Sequence, residues 1–322
     1  MIIKKLCIVI PCYKVSEHII TVLRNIPSEN INFIYVVDDD CPEFSGKIVE
    51  NYVLANNIKK IVVLKNKKNL GVGGATKRGY VEALKDNNDI IIKMDGDDQM
   101  DPNKINNLLK PLLNDEFDFA KGNRFFNLND VGKMPKIRIF GNVLLSFFCK
   151  LSTGYWNTFD PTNGFTAINS KVARLIPFNK VSDNFFFEID LLFRLSILRA
   201  KIVDVPMKAA YKNEKSNLKI NVIILPFLKM LFVNFLKRIF YNYYLRNFTI
   251  ASIELPLGFI MFFYGIIYGL TNYNKYAFLE SPTPLGIIML AVLLISLGFQ
   301  LLLNFLNYDI NSSPKECLNK YL

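Results

Sequence analysis

Short apolar runs alternate with amphipathic segments over the first hundred residues of the chain. Such runs, when turn residues bound them, are typical of buried parallel strands. The predicted strands are Leu6–Ile10, Phe33–Val37, Ile61–Leu64 and Ile90–Met94. The predicted helices are Ser16–Asn25, with Ser16 as its N-cap, Gly46–Asn56 and Gly74–Asp86. Regular alternation of this kind predicts an α/β fold, with a parallel sheet covered by helices on both faces.

The pattern is looser between residues 117 and 207 but contains the same kinds of element. The predicted elements are a strand at Phe117–Gly122, an apolar helix from Lys136 to Leu151, a turn at Asp160–Phe165, a helix from Phe185 to Ala200 and a strand at Val203–Met207. The sequence therefore predicts one α/β domain over residues 1–219.

The character of the sequence changes near Ile220. Residues 220–250 mix Lys229, Lys237 and Arg238 with many Phe, Leu and Tyr side chains. Basic and aromatic residues on one amphipathic helix suit a membrane interface, so we expect a juxtamembrane amphipathic helix here. A buried core helix is the alternative.

Two long apolar runs follow within residues 251–308. Leu255–Leu270 carries no charged residue, and Leu285–Leu306 has only three polar ones. Both have the composition of a membrane span, although the first is at the short limit of length. They predict a transmembrane hairpin, with spans near 255–271 and 285–306 and a polar turn at Asn272–Pro284. A soluble helical pair is the alternative.

The distribution of basic residues predicts the orientation of this hairpin. Lysine and arginine are dense before it, whereas its turn holds only Lys275. By the positive-inside tendency, the large domain is then cytosolic in an inner or plasma membrane. Two crossings also return residues 309–322 to the cytosolic side as a tail.

Composition narrows the classes of function. Hydrophobic residues make up 51% of the 322 residues and charged residues 21%, which fits a membrane protein. The net charge of +11 favours anionic partners such as phosphorylated substrates or acidic lipids. The lysines are spread along the chain without a recognised nucleic-acid module, so nucleic acid is not an expected partner. A single histidine, His18, disfavours His-rich zinc sites and Ser-His-Asp triads, and five cysteines without C-x-x-C pairing indicate reduced thiols.

Two acidic clusters follow predicted strands. They are Asp38–Asp40 and Asp95–Asp98. The carboxyl ends of strands in an open α/β sheet form the edge where ligands bind, so both clusters are expected to face one crevice. Asp95 and Asp97 lie on either side of Gly96, and such a pair can bind one hard divalent cation that keeps positions open for phosphate oxygens. A solvated acidic turn is the alternative.

A glycine-rich stretch from Asn69 to Tyr80 lies between the two clusters. Its Gly71, Gly73 and Gly74 precede a predicted helix, whose N-terminus favours a phosphate group. The spacing matches neither G-x-G-x-x-G nor a Walker loop. A glycine turn that allows close helix packing is an equally good interpretation.

Taken together, these motifs resemble family-2 glycosyltransferases of the GT-A fold, in particular the branch that makes polyprenyl-phosphate sugars. The matching segments are Ile8–Tyr13, Val36–Asp39, the Asn69-x-Gly71 stretch, Asp95-x-Asp97-x-Gln99, Arg124, Arg138 and Asp160 with Gly164-Phe165. The sequence departs from the family pattern at Lys14-Val15, Asp40-Cys41 and Asp98. The resemblance implies a Rossmann-like nucleotide-diphospho-sugar transferase domain followed by the interfacial helix and the transmembrane hairpin.

The resemblance also implies roles for individual residues. The nucleotide sugar is expected to contact Pro11, Tyr13, Asp38, Asp39, Gly71, Lys77, Asp95 and Gln99. Mg²⁺ or Mn²⁺ is expected to bind Asp95, Asp97 and Gln99, and catalytic roles are implied for Asp97, Arg124, Arg138 and Asp160. The acceptor phosphate is expected to contact Arg138, Lys212 and Lys215. The implied donor is a UDP- or GDP-linked sugar. Related enzymes can assemble through their membrane helices, which implies self-association.

The expected reaction is an inverting, metal-dependent transfer of one sugar to a polyprenyl phosphate of the undecaprenyl type, in cell-envelope glycan synthesis. Single transfer is favoured because the Gln-x-x-Arg-Trp motif of processive synthases is missing. One alternative is transfer to a hydroxyl of a lipid-linked oligosaccharide, which needs a general base such as Glu188 or Asp190. The other is a non-catalytic, membrane-bound nucleotide-binding module.

Overall fold

The structure is a computed structural model that describes residues 4–126, 136–207 and 220–322. The chain divides into two compact units. The first comprises the described residues of Met1–Phe235 together with Pro314–Leu322, and the second is Leu236–Ser313.

A seven-stranded sheet forms the centre of the first unit. Its strands are β1 (Leu6–Cys12), β2 (Phe33–Asp38), β3 (Ile61–Lys65), β4 (Ile90–Lys93), β5 (Phe119–Asn123), β6 (Thr166–Asn169) and β7 (Ile202–Pro206). Their order across the sheet is β3-β2-β1-β4-β6-β5-β7. Strands β1 to β4 are parallel as predicted, but β6 runs antiparallel to both β4 and β5. The sheet is therefore mixed.

Helices cover the sheet and continue into the second unit. They are α1 (Ile19–Asn25), α2 (Ser45–Ala55), α3 (Gly71–Lys85), α4 (Ile105–Leu113), α5 (Lys136–Thr153), α6 (Ser170–Arg174), α7 (Phe187–Leu198), α8 (Ile220–Phe240), α9 (Ile250–Phe278) and α10 (Leu285–Asn311). A π-helical segment, Tyr241–Arg246, separates α8 from α9.

Both faces of the sheet are buried under helices. Because successive side chains of a strand point to opposite faces, Ile8 and Ile10 of β1 enter one apolar cluster, whereas Cys7 and Val9 enter the other. Burial on both sides explains why these strands read as continuous apolar runs. A third, smaller cluster forms where α5 and α8 pack on α7, with Phe186 fully buried in it.

Several boundaries differ from those that the pattern predicted. Helix α1 begins at Ile19, and Ser16 does not cap it, because the Ser16 hydroxyl donates to Glu43 at 2.8 Å. Helix α3 begins at Gly71, three residues early, and so includes the glycine-rich stretch. Strand β6 was not predicted, because two of its four buried residues are polar.

The second unit contains two helices, α9 and α10, that are long and apolar enough to cross a membrane by length and composition. Their most apolar windows have mean hydropathies of 1.9 and 2.5, with only 22% and 11% of the window buried. Such exposure is unlike that of a core helix in a soluble protein. Helix α9 extends to Phe278, well beyond the predicted end at Leu270, so that the connecting turn is shorter than expected.

Small residues allow α9 and α10 to pack closely. A methyl group on Gly298 would lie 2.8 Å from the Cα of Phe262, and one on Gly258 would lie 3.1 Å from the carbonyl oxygen of Gly298. A buried ion pair closes one end of this unit, since Arg238 donates to Asp309 at 2.6 Å and 3.0 Å. The Tyr243 hydroxyl donates to the same carboxylate at 2.5 Å.

The C-terminal segment belongs to the first unit, where it binds a buried carboxylate. Asp118 accepts hydrogen bonds from the backbone N–H groups of Lys201, Leu318 and Asn319 at 2.7 to 2.8 Å. The Cys317 thiol donates to it as well, at 3.1 Å. The chain therefore leaves the first unit after Phe235 and rejoins it at Pro314.

Candidate active site

The carboxyl ends of β2, β1 and β4 lie side by side and gather the predicted acidic clusters. In the parallel register Cys12 pairs with Asp38, and Val9 pairs with Lys93. Asp39 follows β2 directly and Asp95 lies two residues beyond β4, so both acidic segments lie at the same edge of the sheet, as predicted. Tyr13, which follows β1, is exposed at this edge.

A buried lysine links the metal-site candidate Asp95 to Glu188. The Lys93 ammonium lies 2.7 Å from Asp95 Oδ1 and 3.0 Å from Glu188 Oε1. The Lys93 side chain is 1% exposed and that of Glu188 is 11% exposed, whereas the Asp95 side chain remains 29% exposed. The cluster thus has a buried floor and one carboxylate that reaches solvent.

The charges of this cluster shift the pKa values of its buried members. Burial acts to lower the pKa of Lys93, but the neighbouring carboxylates Asp95 and Glu188 outweigh it and raise that pKa above its ordinary value. Burial also raises the pKa of Glu188, against the opposing effect of Lys93. Lys93 is therefore a fixed positive charge beneath Asp95 at neutral pH.

Asp97 and Gln99 lie in the turn that follows Asp95, and both are partly exposed. The backbone N–H of Gln99 donates to Asp97 Oδ1 at 3.1 Å, which orders this turn. Carboxylate and amide oxygens are ligands that Mg²⁺ and Mn²⁺ accept, so the donor chemistry fits the predicted cation. Among the residues that the structure describes, no three His, Cys, Asp or Glu side chains converge on one point.

Arg124 and Asp160, both predicted site residues, form a bidentate pair. Arg124 Nε lies 2.8 Å from Asp160 Oδ2, and Nη2 lies 2.7 Å from Oδ1. Asn163 donates to the same carboxylate at 3.1 Å. Burial acts to raise the pKa of Asp160, but the hydrogen bonds and charge of Arg124 hold it below its usual value. The Arg124 side chain remains 26% exposed, so a guanidinium is oriented at the edge of the site.

Gly164 joins this pair to the acidic cluster. A methyl group added at Gly164 would collide with the Lys93 ammonium and would lie 2.7 Å from Asp95 Oδ2. The turn Asp160–Phe165 therefore lies directly against Asp95, which only a residue without a side chain permits. The predicted acceptor-side turn and the predicted metal-side turn are therefore adjacent.

The predicted nucleotide-binding acids, Asp38 and Asp39, accept hydrogen bonds from neighbouring loops of the protein. Asp39 is buried and accepts from the Asn66 amide at 2.6 Å and from the backbone N–H groups of Leu70 and Gly71 at 2.9 Å and 2.7 Å. Asp38 accepts from the N–H of Cys41 at 2.9 Å. These contacts order the loops that flank the crevice.

The glycine-rich stretch packs against another loop of the protein. The N–H of Gly74 donates to the Asp183 carbonyl at 2.9 Å, and a methyl group on Gly71 would lie 2.7 Å from the same oxygen. Lys77 donates to the carbonyl of Val181 at 2.7 Å and pairs with the Asp183 carboxylate at 2.5 Å. This geometry agrees with the interpretation that the glycines allow close packing. Contacts of Gly71 and Lys77 with a diphosphate remain predictions.

The two candidate bases for a hydroxyl acceptor have partners inside the protein. Glu188 accepts from Lys93, as described above. Asp190 is buried and accepts from the N–H of Ser182 at 2.9 Å and from the Asn234 amide at 3.2 Å. Asp190 therefore joins α8 to the loop that precedes α7, which is a structural role.

Four predicted site residues remain, and one of them, Pro11, is fully described by the structure. Pro11 is buried within β1, opposite Val37 of β2. Arg138 lies in the first turn of α5, with its side chain outside the described part of the chain. Lys212 and Lys215 lie outside the described residues altogether.

Lys93 and Asn163 are site residues that the sequence analysis did not select. The signal for Lys93 was present, because a lone charge in the apolar run Ile90–Met94 of a central strand requires a buried partner. Nothing in the sequence identified Glu188 as that partner, since 95 residues separate the two. Asn163 had no signal beyond its place in the Asp160–Phe165 turn.

Comparison with known proteins identifies the family of this chain. Residues 7–176 match the family described as glycosyl transferase family 2. The UDP-N-acetylglucosamine–dolichyl-phosphate N-acetylglucosaminyltransferase of Methanococcus voltae is 28% identical over 231 residues, which is 69% of this chain and 92% of that protein. The undecaprenyl-phosphate mannosyltransferase of Micrococcus luteus is 26% identical over 175 residues, which is 54% of this chain and 70% of that protein.

A solved structure gives the same answer for the fold. The glucosyl-3-phosphoglycerate synthase of Mycobacterium tuberculosis, crystallised with Mn²⁺, UDP and glucosyl-3-phosphoglycerate, superposes with a TM-score of 0.54. It covers 73% of this chain and 80% of its own, at 17% sequence identity. The seven-stranded mixed sheet is thus a GT-A-like fold, which confirms the expectation drawn from the sequence motifs.

Proposed function

This chain belongs to glycosyl transferase family 2 and is a glycosyltransferase, and from that premise we propose that it transfers one sugar from a nucleotide-diphospho-sugar to a polyprenyl phosphate at a membrane surface. The observation that carries the proposal is the joining of two features in one chain. Asp95 and the Arg124–Asp160 pair meet across Gly164, and the same chain contains two helices with the length and composition of membrane spans. The two named relatives, which act on dolichyl and undecaprenyl phosphates, support it.

In the proposed reaction the protein's acidic turn receives the donor. Asp95, Asp97 and Gln99 would hold Mg²⁺ or Mn²⁺, which when bound neutralises the charge that develops on the leaving nucleotide diphosphate. Asp38 and Asp39 keep the neighbouring loops in place at the nucleotide end of the crevice. The donor is a UDP- or GDP-sugar, and direct attack on the sugar inverts its anomeric centre.

The acceptor in this proposal needs cations rather than a base. A phosphate monoester has a second pKa of about 6 and is largely ionised at neutral pH, so it attacks once it is positioned. Arg124, held by Asp160, provides one oriented guanidinium. Arg138, Lys212 and Lys215 are further proposed contacts. A hydroxyl acceptor is disfavoured because both candidate bases already have partners in the protein. Glu188 pairs with Lys93, and Asp190 accepts from Ser182 and Asn234.

We further propose that the glycosyltransferase unit is cytosolic and that α9 and α10 anchor it in the membrane. The return of Pro314–Leu322 to the first unit supports an even number of crossings between Phe235 and Pro314. The excess of basic residues before the hairpin supports the cytosolic side. Self-association through α9 and α10 and a role in envelope glycan synthesis belong to the same proposal.

The test uses membranes that contain the full chain and a panel of labelled UDP- and GDP-sugars. Undecaprenyl phosphate is added or withheld, and EDTA is added or withheld. We expect label in an organic-extractable, acid-labile lipid only when both lipid phosphate and divalent cation are present. Label on a larger glycolipid instead would support a hydroxyl acceptor, and no transfer from any donor would contradict the proposed reaction.

A pair of variants beyond the two ends of β4 connects this reaction to the acidic turn. Asp97→Asn is expected to reduce transfer by about 100-fold or more, because removing one stabilising charge from an active site has effects of this order. Asp89→Asn is the matched control, since the exposed Asp89 lies at the opposite end of β4. Equal activity of the two variants would exclude the proposed role of Asp97.

A further inference from the structure

The buried ammonium of Lys93 competes with any cation that Asp95 binds. It lies 2.7 Å from Asp95 Oδ1, which is the distance of a charge-assisted hydrogen bond. That oxygen is engaged inside the protein, while Oδ2 faces the backbone of Gly164. The two oxygens of the Asp95 carboxylate therefore have different surroundings, and Lys93 fixes the position of Oδ1.

Glu188 shares the Lys93 ammonium with Asp95. The ammonium is shared between Asp95 and Glu188, at 2.7 Å and 3.0 Å. With both carboxylates ionised the cluster has a net charge of −1, and the second partner draws part of the ammonium's attraction away from Asp95. Without Glu188 the whole charge of Lys93 would act on Asp95, and the cluster would be neutral.

We propose that Lys93 and Glu188 are positioning residues that tune the affinity of Asp95 for the divalent cation, with Lys93 orienting the carboxylate and Glu188 keeping it negative enough to bind. The proposal rests on the proposed function in one respect, that Asp95 is a cation ligand. It assigns Glu188 a role as the counter-charge of Lys93 rather than as a base.

The burial of the cluster makes this arrangement specific. Lys93 is on a central strand and Glu188 is on the first turn of α7, and both side chains are almost wholly enclosed. A charge in such a place costs free energy unless it is paired. A purely structural pair would need no third member, yet the ammonium also reaches the partly exposed Asp95. The exposed member of the cluster is therefore the one that faces ligand.

The test measures binding of Mn²⁺ to the purified full chain in detergent, at constant UDP, from the electron paramagnetic resonance signal of free Mn²⁺. Glu188→Gln is expected to weaken Mn²⁺ binding by about tenfold, because one negative charge is lost within a few ångströms of the ligand. The double variant Lys93→Met/Glu188→Gln is expected to restore binding to the wild-type level or above. It has the wild-type net charge and no ammonium competing for Asp95.

Measuring kcat beside Mn²⁺ binding distinguishes the orientation of Asp95 from its affinity for the cation. In the double variant Mn²⁺ binding recovers, but kcat stays below that of the wild type, because Asp95 has lost the contact that orients it. The matched controls are Glu82→Gln and Lys85→Met/Glu82→Gln, which alter an exposed ion pair of 2.9 Å on α3 in the same way. Both controls are expected to bind Mn²⁺ like the wild type.

The proposal is overturned if Glu188→Gln binds Mn²⁺ as the wild type does, or if adding Lys93→Met weakens binding further, as a structural pair would require. Absence of Mn²⁺ binding to the wild type overturns it too. Should Glu188→Gln fail to fold, the charge-balanced double variant decides the matter, and binding weaker than that of the wild type then counts against the proposal. Failure of transfer to lipid phosphate, with these shifts in Mn²⁺ affinity intact, would refute only the proposed acceptor.

Discussion

Each of the two units contains a buried cluster of charges, and the two clusters differ in how completely they are enclosed. In the second unit Arg238 and Asp309 are 2% and 1% exposed, and the Tyr243 hydroxyl donates to the same carboxylate. In the first unit Lys93 is as deeply buried, but Asp95 keeps 29% of its side-chain surface exposed. The first cluster is open at one carboxylate, whereas the second is closed.

This difference separates a structural ion pair from a candidate ligand site. A closed pair has its hydrogen-bonding partners within the protein, so that it fixes the positions of its own elements. Here the pair holds α8 to the end of α10. In the open cluster the carboxylates pair with Lys93 inside the protein, but the Asp95 side chain remains partly exposed to solvent. Degree of enclosure, more than burial of a charge as such, therefore indicates function in this chain.

The largest expected effect comes from breaking the closed pair. Asp309→Ala leaves the Arg238 guanidinium buried without its carboxylate, which typically costs about 3–5 kcal/mol of stability. We expect a clear drop in the midpoint temperature of thermal unfolding, measured as loss of helical circular dichroism in detergent. The double variant Arg238→Met/Asp309→Leu removes both charges and is expected to melt close to the wild type. A wild-type midpoint for Asp309→Ala would contradict the structural role.

Crowding the open cluster is expected to have an intermediate effect. Gly164→Ala places a methyl group against Lys93 and Asp95, and overpacking of this kind costs about 1–3 kcal/mol. Transfer activity should fall more than stability does, because Asp95 is displaced. Gly141→Ala is the matched control, since a methyl group there meets nothing within 4 Å and alanine favours the helix. Equal losses in the two variants would contradict the placement of Gly164.

A smaller effect is expected from pH at the Arg124–Asp160 pair. The folded pKa of Asp160 lies below its ordinary value, which is about 3.9 in an unfolded chain. The carboxylate thus contributes stability above that pH, and the contribution is lost as the pH falls through the lower, folded pKa. The difference in urea midpoint between the wild type and Asp160→Asn should therefore shrink as the pH falls below 4. A difference that does not change with pH would exclude this linkage.

The smallest expected effect concerns two buried thiols, Cys12 and Cys41, whose pKa values are shifted in opposite directions. Burial raises the pKa of Cys12 to about 12. Burial acts to raise the pKa of Cys41 too, but hydrogen bonds from Ser45 and from the Lys14 N–H outweigh it and lower that pKa. At pH 8 iodoacetamide should therefore label Cys41 before Cys12, as mass spectrometry can measure. Cys41→Ser should remove the early label, and prior labelling of Cys12 would reverse the assignment.

Much of the fold was predictable because its signals are local. The strands β1 to β4 are continuous apolar runs, and the runs reveal a sheet that is buried on both faces. The motifs at Asp38-Asp39 and Asp95-x-Asp97-x-Gln99 follow those runs directly, so the shared edge of the sheet followed from the order of elements. The apolar lengths of α9 and α10 were readable in the same way.

The prediction was weakest where long-range contacts outweigh local pattern. Strand β6 is short and half polar, and pairing with β4 and β5 makes it a strand. Ser16 has the right residue type for a cap, but Glu43 takes its hydroxyl. The glycines at Gly71 and Gly74 suit a phosphate loop or a packed turn equally well in the sequence, and only the tertiary structure shows that the Asp183 backbone packs against them.

The sequence by itself determined which residue types stand at the ends of which strands, and from them the family, the α/β class and the two membrane-length helices. Only the tertiary structure decided which charges meet. It joined Lys93 to Glu188 across 95 residues and Arg238 to Asp309 across 71. The physical reason is that hydrophobic periodicity depends on residues that are close in sequence, whereas the partner of a buried charge depends on the packing of the whole unit.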